Sequence, residues 1–262
     1  MKHIVAVASG KGGVGKSTVA ANLAVALGAR EELRNKVALV DVDFYGPSIP
    51  TLMGGGEIKV DHQQKFLPAL RWGVKYISIA FFLKNPDDPV VWRGPMFGKA
   101  INQLFSDVSW GDVEICIVDM PPGTGDAQLS LAQLVKLDGA IVVTTPQEVA
   151  LADVRRAINM FDKVNVPVLG IVENMNGFVT PSGEKYEIFG SGGGKSLAAK
   201  FNLDLLSSLP IDISIRESGD SGNPIASNPL CESGKIFNKL AEEVLNKISE
   251  NQENSLKLNI VN

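Results

Sequence analysis

The chain has 262 residues, 45% of them hydrophobic, so it is long enough to bury a large core in one α/β domain. Its net charge of −4 provides no general basic field to hold DNA or anionic lipid, and its two cysteines, Cys116 and Cys231, are too few for a disulfide framework. The N-terminus shows no targeting pattern and no apolar run approaches the ~18 residues of a membrane span, so we expect a cytoplasmic protein.

A glycine-rich loop follows the apolar run at residues 3–8. Gly10, Gly15, Lys16 and Ser17 match the pattern G-x-x-x-x-G-K-[ST], in the strand, loop and helix setting that this pattern requires. Glycines let successive backbone N–H groups converge on a phosphate chain, and the helix that follows adds its partially positive N-terminus. The stretch therefore predicts a nucleotide site.

Each polar side chain of this loop has an expected role. Lys16 would reach the terminal phosphates as a point charge, the Ser17 hydroxyl would give Mg²⁺ one hard oxygen ligand, and Thr18 would contact an inner phosphate. The other predicted nucleotide contacts come from the loop itself, at Gly12, Gly13, Val14 and Gly15.

Two acids stand at the end of the next predicted strand, residues 37–41. Asp41 and Asp43 lie one residue apart at a strand's carboxyl end, where open α/β sheets place their chemistry. Two aspartates that merely end a strand in solvent are the simpler alternative. Beside a phosphate loop, we favour a functional role, with Asp41 as a possible second-shell contact to Mg²⁺.

A Walker B pattern occupies residues 114–119, where apolar residues end in Asp119. This carboxylate can hold Mg²⁺ through a water molecule, and the N–H of Gly123 in the following loop can meet a γ-phosphate. Loss of that phosphate would release the loop, so we expect residues 120–126 to act as a switch.

Strand and helix patterns alternate along the rest of the chain, which predicts a doubly wound, mainly parallel sheet flanked by helices. Further strands are expected at residues 76–80, 139–144, 167–172 and 205–209, and helical periodicity covers residues 129–135, 154–164, 195–201 and 236–248. We expect one domain over residues 1–248 and a polar, frayed tail over residues 249–262.

Three features carry less information about function. Residues 190–196 imitate a phosphate loop, but the glycine spacing is one residue short and no apolar strand precedes them, so we expect only a helix start. The apolar stripe of residues 236–248 fits core packing better than membrane binding, because its polar face is acidic as well as basic. Arg93 could contact phosphate or serve only the fold.

The phosphate loop contains a second lysine, Lys11, directly after Gly10. With it, the stretch resembles the deviant Walker A motif, K-G-G-x-G-K-[ST], of the MinD, ParA and nitrogenase iron protein superfamily. In that superfamily the early lysine reaches the partner's nucleotide across a dimer interface, so the resemblance implies a P-loop ATPase that forms a homodimer.

The chain as a whole resembles one branch of this superfamily, the Mrp or ApbC-like iron-sulfur cluster carrier ATPases. The stretches that carry the resemblance are residues 10–18, 41–50, 91–96, 118–126, 173–175, 187–194 and 218–222. It implies that Asp43 orients the attacking water, that Asp119 holds Mg²⁺, and that Asn174 reads the adenine edge, with Pro210 and Asp212 closing the base pocket. An amide suits that reading, because it offers adenine one donor and one acceptor.

The sequence departs from this family where a C-x-x-C pair is expected to bind a bridging [4Fe-4S] cluster. Thr180 stands at the first cysteine position, and Ser182 or Gly183 at the second. Hydroxyls are poor ligands for cluster iron, so the usual cluster site is expected to be absent. Cys231 could pair across a dimer, which would supply only two thiolates.

Two functional hypotheses remain open. The first is an ATP-hydrolysing, Mg²⁺-dependent homodimer of the iron-sulfur assembly pathway, with assembly or acceptor proteins as partners. The second is a nucleotide-gated interaction protein that binds no cluster and presents residues 177–194 to a partner. A MinD-like or ParA-like positioning ATPase is disfavoured by the charge and the tail, so we expect no nucleic-acid binding and no stable membrane association.

Overall fold

The computed structural model describes residues 1–83 and 94–260, so Arg93 lies outside the described residues. Numbered along the chain, the strands are β1 (His3–Ser9), β2 (Val37–Asp41), β3 (Lys59–Val60), β4 (Phe66–Leu67), β5 (Ala69–Arg71), β6 (Val74–Ser78), β7 (Ile115–Asp119), β8 (Gly139–Thr144), β9 (Val168–Glu173), β10 (Phe178–Val179), β11 (Lys185–Tyr186) and β12 (Leu205–Ser208).

Eight of these strands form one central sheet in the order β12-β9-β8-β1-β7-β2-β6-β5. All neighbours in it are parallel except β5 and β6, so the predicted doubly wound α/β sheet is confirmed. The central strands β2, β7 and β8 are buried along their whole length, as expected for continuous apolar runs covered on both faces.

The register of the sheet brings the predicted acids together. β2 and β7 pair in parallel with Asp41 opposite Asp119, and β1 lies on the other side of β7. Because all three strands run the same way, their carboxyl ends meet at one edge, and the phosphate loop leaves β1 at that edge.

Helices cover both faces of the sheet. They are α1 (Lys16–Gly28), α2 (Ile49–Leu52), α3 (Gly94–Ser106), α4 (Asp126–Leu134), α5 (Glu148–Lys163), α6 (Gly193–Phe201), α7 (Ile213–Asp220) and α8 (Glu232–Ile260), with short 3₁₀ turns at Glu31–Leu33, Ile79–Phe82 and Ile225–Ser227. None of the helices in the described part of the chain combines the length and apolar character needed to cross a lipid bilayer.

Alternate residues of β1 point into two separate cores. Ala6 and Ala8 contact the core beneath α3 to α6, whereas Val5 and Val7 contact the core beneath α1 and α8. In the second core α8 packs against α1, and its Phe237 is fully buried. The apolar stripe predicted at residues 236–248 is therefore a core-packing face.

Several elements differ from the sequence prediction. The predicted strand at residues 76–80 starts two residues earlier, at Val74, and gives way to the 3₁₀ turn Ile79–Phe82. The short helices α2 and α7 were not predicted, because neither carries a long apolar period. Helix α8 continues to Ile260, beyond the helical periodicity predicted for residues 236–248, and residues 249–262 contain no Gly or Pro to end a helix.

Candidate functional site

The predicted phosphate loop forms a glycine-rich turn between β1 and α1. Gly13 and Gly15 have φ of 80° and 83°, and Gly15 caps α1 in the left-handed conformation, so α1 begins at Lys16. The loop borders a cavity of about 260 Å³. The cavity is lined by Ser9, Lys11, Gly12, Gly13, Gly15, Lys16, Ser17, Thr18, Asp43, Gly46, Ser48 and Pro122.

Lys16 is held by the two predicted carboxylates. Its Nζ lies 2.7 Å from Asp119 Oδ1 and 3.3 Å from Asp43 Oδ2, and it donates to Ser17 Oγ at 3.1 Å. The side chains of Lys16 and Asp119 are 6% and 0% exposed, so solvent screens this pair little. The structure thus brings together four of the predicted site residues, Lys16, Ser17, Asp43 and Asp119.

Burial and the neighbouring charges act in opposite directions on the pKa values of this cluster. Burial raises the pKa of Asp119, and the Lys16 ammonium opposes that rise. Burial also acts against the charge of Lys16, but the carboxylates of Asp119 and Asp43 outweigh it and raise the pKa of Lys16. Lys16 therefore remains an ammonium that compensates the buried acids.

Asp41 lies beside Asp119, but both of its carboxylate oxygens accept hydrogen bonds from neighbouring residues. Its Oδ1 accepts the Asp43 N–H at 3.1 Å, and its Oδ2 accepts the Ser78 hydroxyl at 2.8 Å and the Ile49 N–H at 3.3 Å. Complete burial, followed by the charge of Asp119, raises the pKa of Asp41 to about 8. These bonds fix the turn that carries Asp43 and do not direct Asp41 toward the cavity.

Asp43 is aimed at the phosphate cavity by its own turn. Its Oδ1 accepts the N–H groups of Tyr45 at 3.2 Å and Gly46 at 3.3 Å, which leaves Oδ2 to face Lys16. A carboxylate oriented in this way, at the rim of a phosphate site, suits the predicted role of orienting an attacking water molecule.

The chemistry of these side chains fits Mg²⁺. The Ser17 hydroxyl and the carboxylates of Asp119 and Asp43 are hard oxygen donors, and Asp119 Oδ2 is buried with no hydrogen-bond partner among the described residues. Ser17 and Asp119 are the residues that would hold the ion, most of whose remaining ligands come from phosphate and water in sites of this kind.

A second cavity, of about 550 Å³, adjoins the first. The two share Gly15, Thr18 and Ser48. The larger cavity is also lined by Pro47, Thr51, Leu52, Asn174, Met175, Phe189, Pro210, Ile211, Asp212, Ile215, Arg216, Gly219 and Asp220. It therefore contains all three predicted base-pocket residues.

Asn174 lies against the phosphate loop. Its Nδ2 donates to the Val14 carbonyl at 2.9 Å, and a Cβ on Gly15 would lie 2.2 Å from that nitrogen. Met175 follows with a φ of 61°, a conformation uncommon for residues other than glycine and typical of functional sites. The bond to Val14 uses one of the two N–H groups of the amide, so Asn174 keeps its oxygen as an acceptor and one N–H as a donor for a base.

Asp212 lines the base cavity but its carboxylate has a structural role. It caps α7 by accepting the Ser214 N–H at 2.8 Å and the Ser214 hydroxyl at 2.7 Å, and it also accepts the Ser233 hydroxyl at the start of α8. The Asp212 carboxylate therefore links the start of α7 to the start of α8 at the wall of the cavity.

The switch loop is joined to β1 through Gly123. Its N–H, predicted to meet a γ-phosphate, donates to the Ser9 carbonyl at 3.1 Å in this structure. The Gln128 amide, which was not predicted, donates to the same carbonyl at 3.3 Å and to Pro121 at 2.6 Å. The only sequence signal for Gln128 is its position directly after the switch loop, in the first turn of α4.

Thr180 and Ser182 lie at the tip of the hairpin formed by β10 and β11. Their hydroxyl oxygens are 2.8 Å apart and exposed. Cys116 is buried in β7, where burial raises the pKa of its thiol, and Cys231 hydrogen-bonds its own turn through Asn228 and Gly234. The hairpin tip therefore presents hydroxyls rather than thiolates, which does not fit a cluster of iron and sulfide.

The second glycine-rich loop has a structural explanation. Helix α6 begins at Gly193, which confirms the predicted helix start, and the Gly194 N–H donates to the buried Glu173 carboxylate at 2.5 Å. A Cβ on Gly194 would lie 2.8 Å from Glu173 Cβ, so the glycine permits this close approach. The Glu173 carboxylate at the end of β9 therefore caps the N-terminus of α6.

Comparison with known proteins agrees with this geometry. A family model described as the NUBPL iron-transfer P-loop NTPase (ParA) matches residues 1–245. The chain is 50% identical, over 97% of its length and 70% of the relative's, to an iron-sulfur cluster carrier protein of Aquifex aeolicus. It is 48% identical, over 99% of its length and 85% of the relative's, to the mitochondrial iron-sulfur protein required for NADH dehydrogenase of Arabidopsis thaliana.

Solved structures show the same architecture. The chain superposes with a TM-score of 0.76 and 38% identity on an Archaeoglobus fulgidus nucleotide-binding protein in complex with ADP, covering 90% of this chain and 91% of the other. Its fold is also that of MinD complexed with Mg-ADP from Pyrococcus horikoshii, with a TM-score of 0.67 at 23% identity over 93% and 96% of the two chains. The chain belongs to the iron-sulfur carrier and transfer family of P-loop NTPases described by the NUBPL model.

Proposed function

We propose that this protein is a Mg²⁺-dependent ATPase that works as a homodimer in iron-sulfur cluster transfer. The observation that carries the proposal is a pair of adjoining cavities. The cavity lined by Lys16, which we assign to phosphate, shares Gly15, Thr18 and Ser48 with the larger cavity, which we assign to the base. One mononucleotide with its triphosphate is the ligand whose two ends match two such adjoining cavities.

Adenine is the base that the pocket favours. The Asn174 amide donates one N–H to the Val14 carbonyl, which fixes its orientation and leaves its oxygen, together with the second N–H, for a base. An amide oxygen accepts the exocyclic amino group of adenine, whereas guanine presents a carbonyl oxygen at the corresponding position. ATP should therefore be preferred over GTP.

Phosphate binding requires Lys16 to change partners. In this structure its ammonium contacts the carboxylates of both Asp119 and Asp43. When it turns to phosphate, the two carboxylates lose that positive charge, which is unfavourable for buried acids. Mg²⁺, when bound, supplies the compensating positive charge and polarises the phosphate. Asp43, held by its two backbone N–H bonds, is then free to orient the attacking water.

Dimerisation is proposed from the exposed rim of the phosphate cavity. In the described part of the chain the Lys11 side chain makes no hydrogen bond or ion pair, although Lys11 lines the cavity. A Cβ added at Gly12, Gly46 or Gly125 would meet nothing within 4 Å. An open rim with an unpaired lysine suits a second copy that approaches closely across the nucleotide.

Turnover by a variant of Lys16 tests the assigned site. Lys16→Ala should reduce ATP hydrolysis at least about tenfold, because it removes the charge that meets the phosphates. Lys195→Ala is the matched control, since it removes the exposed lysine of the second glycine-rich loop. Equal turnover in wild type and Lys16→Ala would refute the proposal. Light scattering with and without ATP, on wild type and Lys11→Ala, tests the dimer.

A second candidate function is a nucleotide-gated interaction protein that carries no cluster at the usual position. The observation in its favour is the hydroxyl pair of Thr180 and Ser182 at the hairpin tip. Anaerobic reconstitution followed by iron and sulfide analysis separates the two. Absence of bound cluster with intact ATP binding supports the second function, and stoichiometric cluster supports carriage through another site.

A further inference from the structure

Gln128 is a buried polar side chain that the proposed chemistry does not use. It lies in the first turn of α4, directly after the switch loop, and is 1% exposed. Its Nε2 donates to the Pro121 carbonyl at 2.6 Å and to the Ser9 carbonyl at 3.3 Å. Its Oε1 is buried and has no partner among the described residues. One amide group therefore connects the switch loop to the end of β1.

Ser9 is the point at which the two loops of the site meet. Its carbonyl accepts the Gly123 N–H as well as the Gln128 amide, and its hydroxyl donates to the Lys11 carbonyl at 2.9 Å. Ser9 is fully buried, so a carbonyl without a partner would be costly there. The Gly123 N–H can leave Ser9 at low cost only if another donor remains.

We infer that Gln128 is a positioning residue for the γ-phosphate switch. It keeps the Ser9 carbonyl bonded while the Gly123 N–H exchanges from Ser9 to the γ-phosphate, and it ties the moving loop to β1 through Pro121. This inference rests on the proposed ATPase function, because it concerns the step that distinguishes ATP from ADP. Gln128 touches no reacting atom, and it acts through Ser9 and Gly123.

The inference makes a selective prediction. ADP has no γ-phosphate and leaves the bond between Gly123 and Ser9 undisturbed, so its affinity should not depend on Gln128. A non-hydrolysable ATP analogue requires the exchange, so its affinity should depend on the donor that Gln128 supplies. A side chain that served only packing would alter stability without changing the ratio of the two affinities.

Two variants remove the donor in different ways. Gln128→Met keeps the length of the side chain without its polar atoms, and Gln128→Glu keeps the shape but replaces the amide donor with an acceptor. Gln133→Met is the control, because Gln133 is an exposed glutamine on the same helix. The second variant keeps the test decisive if the first does not fold.

The experiment measures the affinities for Mg-ADP and Mg-AMPPNP by titration calorimetry, together with the ATPase rate. We expect both Gln128 variants to bind ADP within about twofold of wild type, while AMPPNP affinity and kcat each fall about tenfold, the effect of one lost hydrogen bond. If folded Gln128 variants keep the wild-type ratio of ADP to AMPPNP affinity and the wild-type ATPase rate, the inference is overturned, but the proposed function is not. A wild-type protein that binds neither nucleotide would overturn the proposed function, and the inference with it.

Discussion

The Lys16 ammonium lies 2.7 Å from Asp119 Oδ1, so the lysine expected to bind phosphate is paired with the carboxylate expected to serve magnesium. Both side chains are almost fully buried. A buried pair of this kind is costly to break unless each partner finds another opposite charge. In the proposed function, nucleotide phosphate and Mg²⁺ together would provide that replacement.

This pairing predicts that Mg²⁺ and nucleotide bind cooperatively. ADP affinity should fall at least about tenfold when Mg²⁺ is removed with EDTA, since Lys16 would leave Asp119 uncompensated. Calorimetry of ADP with and without Mg²⁺ measures the effect. In Asp119→Asn the neutral amide needs no compensation, so the dependence on Mg²⁺ should shrink. Equal ADP affinity in EDTA and Mg²⁺ for the wild type would contradict the exchange.

Two glycines of the phosphate loop should respond differently to alanine. Gly15 has a φ of 83°, and a Cβ there would lie 2.2 Å from Asn174 Nδ2, whereas a Cβ on Gly12 meets nothing within 4 Å. Gly15→Ala should destabilise the free protein by about 1–3 kcal/mol and weaken nucleotide binding, because it strains the turn and displaces Asn174. Gly12→Ala should unfold at the wild-type urea concentration. Similar unfolding midpoints for the two variants would show that the contact with Asn174 is unimportant.

Much of this site could be predicted from the sequence, because parallel strands place the residues that follow them at the same edge of the sheet. Lys16, Asp43 and Asp119 each follow an apolar strand, so their meeting at one sheet edge was predictable. The hydrogen bonds between the loops were not predictable, since a bond such as that between Gly123 and Ser9 depends on loop conformation.

Other roles could not be predicted, because some of the aspartates bind structural N–H and hydroxyl groups while others face a cavity. Asp41 and Asp43 look equivalent in the sequence, yet Asp41 is bonded to Ser78 and two backbone N–H groups while Asp43 faces the cavity. Asp212 was predicted at the base pocket and does line it, but its carboxylate caps α7. Side-chain direction within a turn separates these roles, and no periodic pattern encodes it.

The buried Asp41 predicts a pH dependence of stability. Burial raises its pKa to about 8, above the ordinary value of 3.8, so the folded state holds a proton that the unfolded state has released. This stabilisation is complete below pH 3.8 and is lost as pH rises toward 8. The free energy of unfolding in EDTA should therefore fall between pH 5.5 and 8 by up to about 1.4 kcal/mol per pH unit.

Asp41→Asn provides the control for this prediction. Asparagine is neutral throughout that range, so the variant should lose most of the pH slope. It should also be less stable, because its NH₂ group replaces one carboxylate oxygen and cannot accept the backbone N–H bond, from Asp43 or from Ile49, that this oxygen accepts. Urea unfolding at several pH values measures both slopes. An unchanged slope in the variant would assign the proton to another group, such as Asp119.

Cysteines placed at two positions of the hairpin tip should allow the protein to bind iron and sulfide there. The hydroxyls of Thr180 and Ser182 are 2.8 Å apart and exposed, so thiols placed there would lie close together and accessible. Under anaerobic reconstitution, Thr180→Cys/Ser182→Cys should gain bound iron and sulfide relative to wild type, because thiolates replace poor hydroxyl ligands. The control is Ser196→Cys/Ser214→Cys, which adds two exposed thiols on α6 and α7. Equal iron and sulfide in both double variants would show that the hairpin tip is not a cluster position.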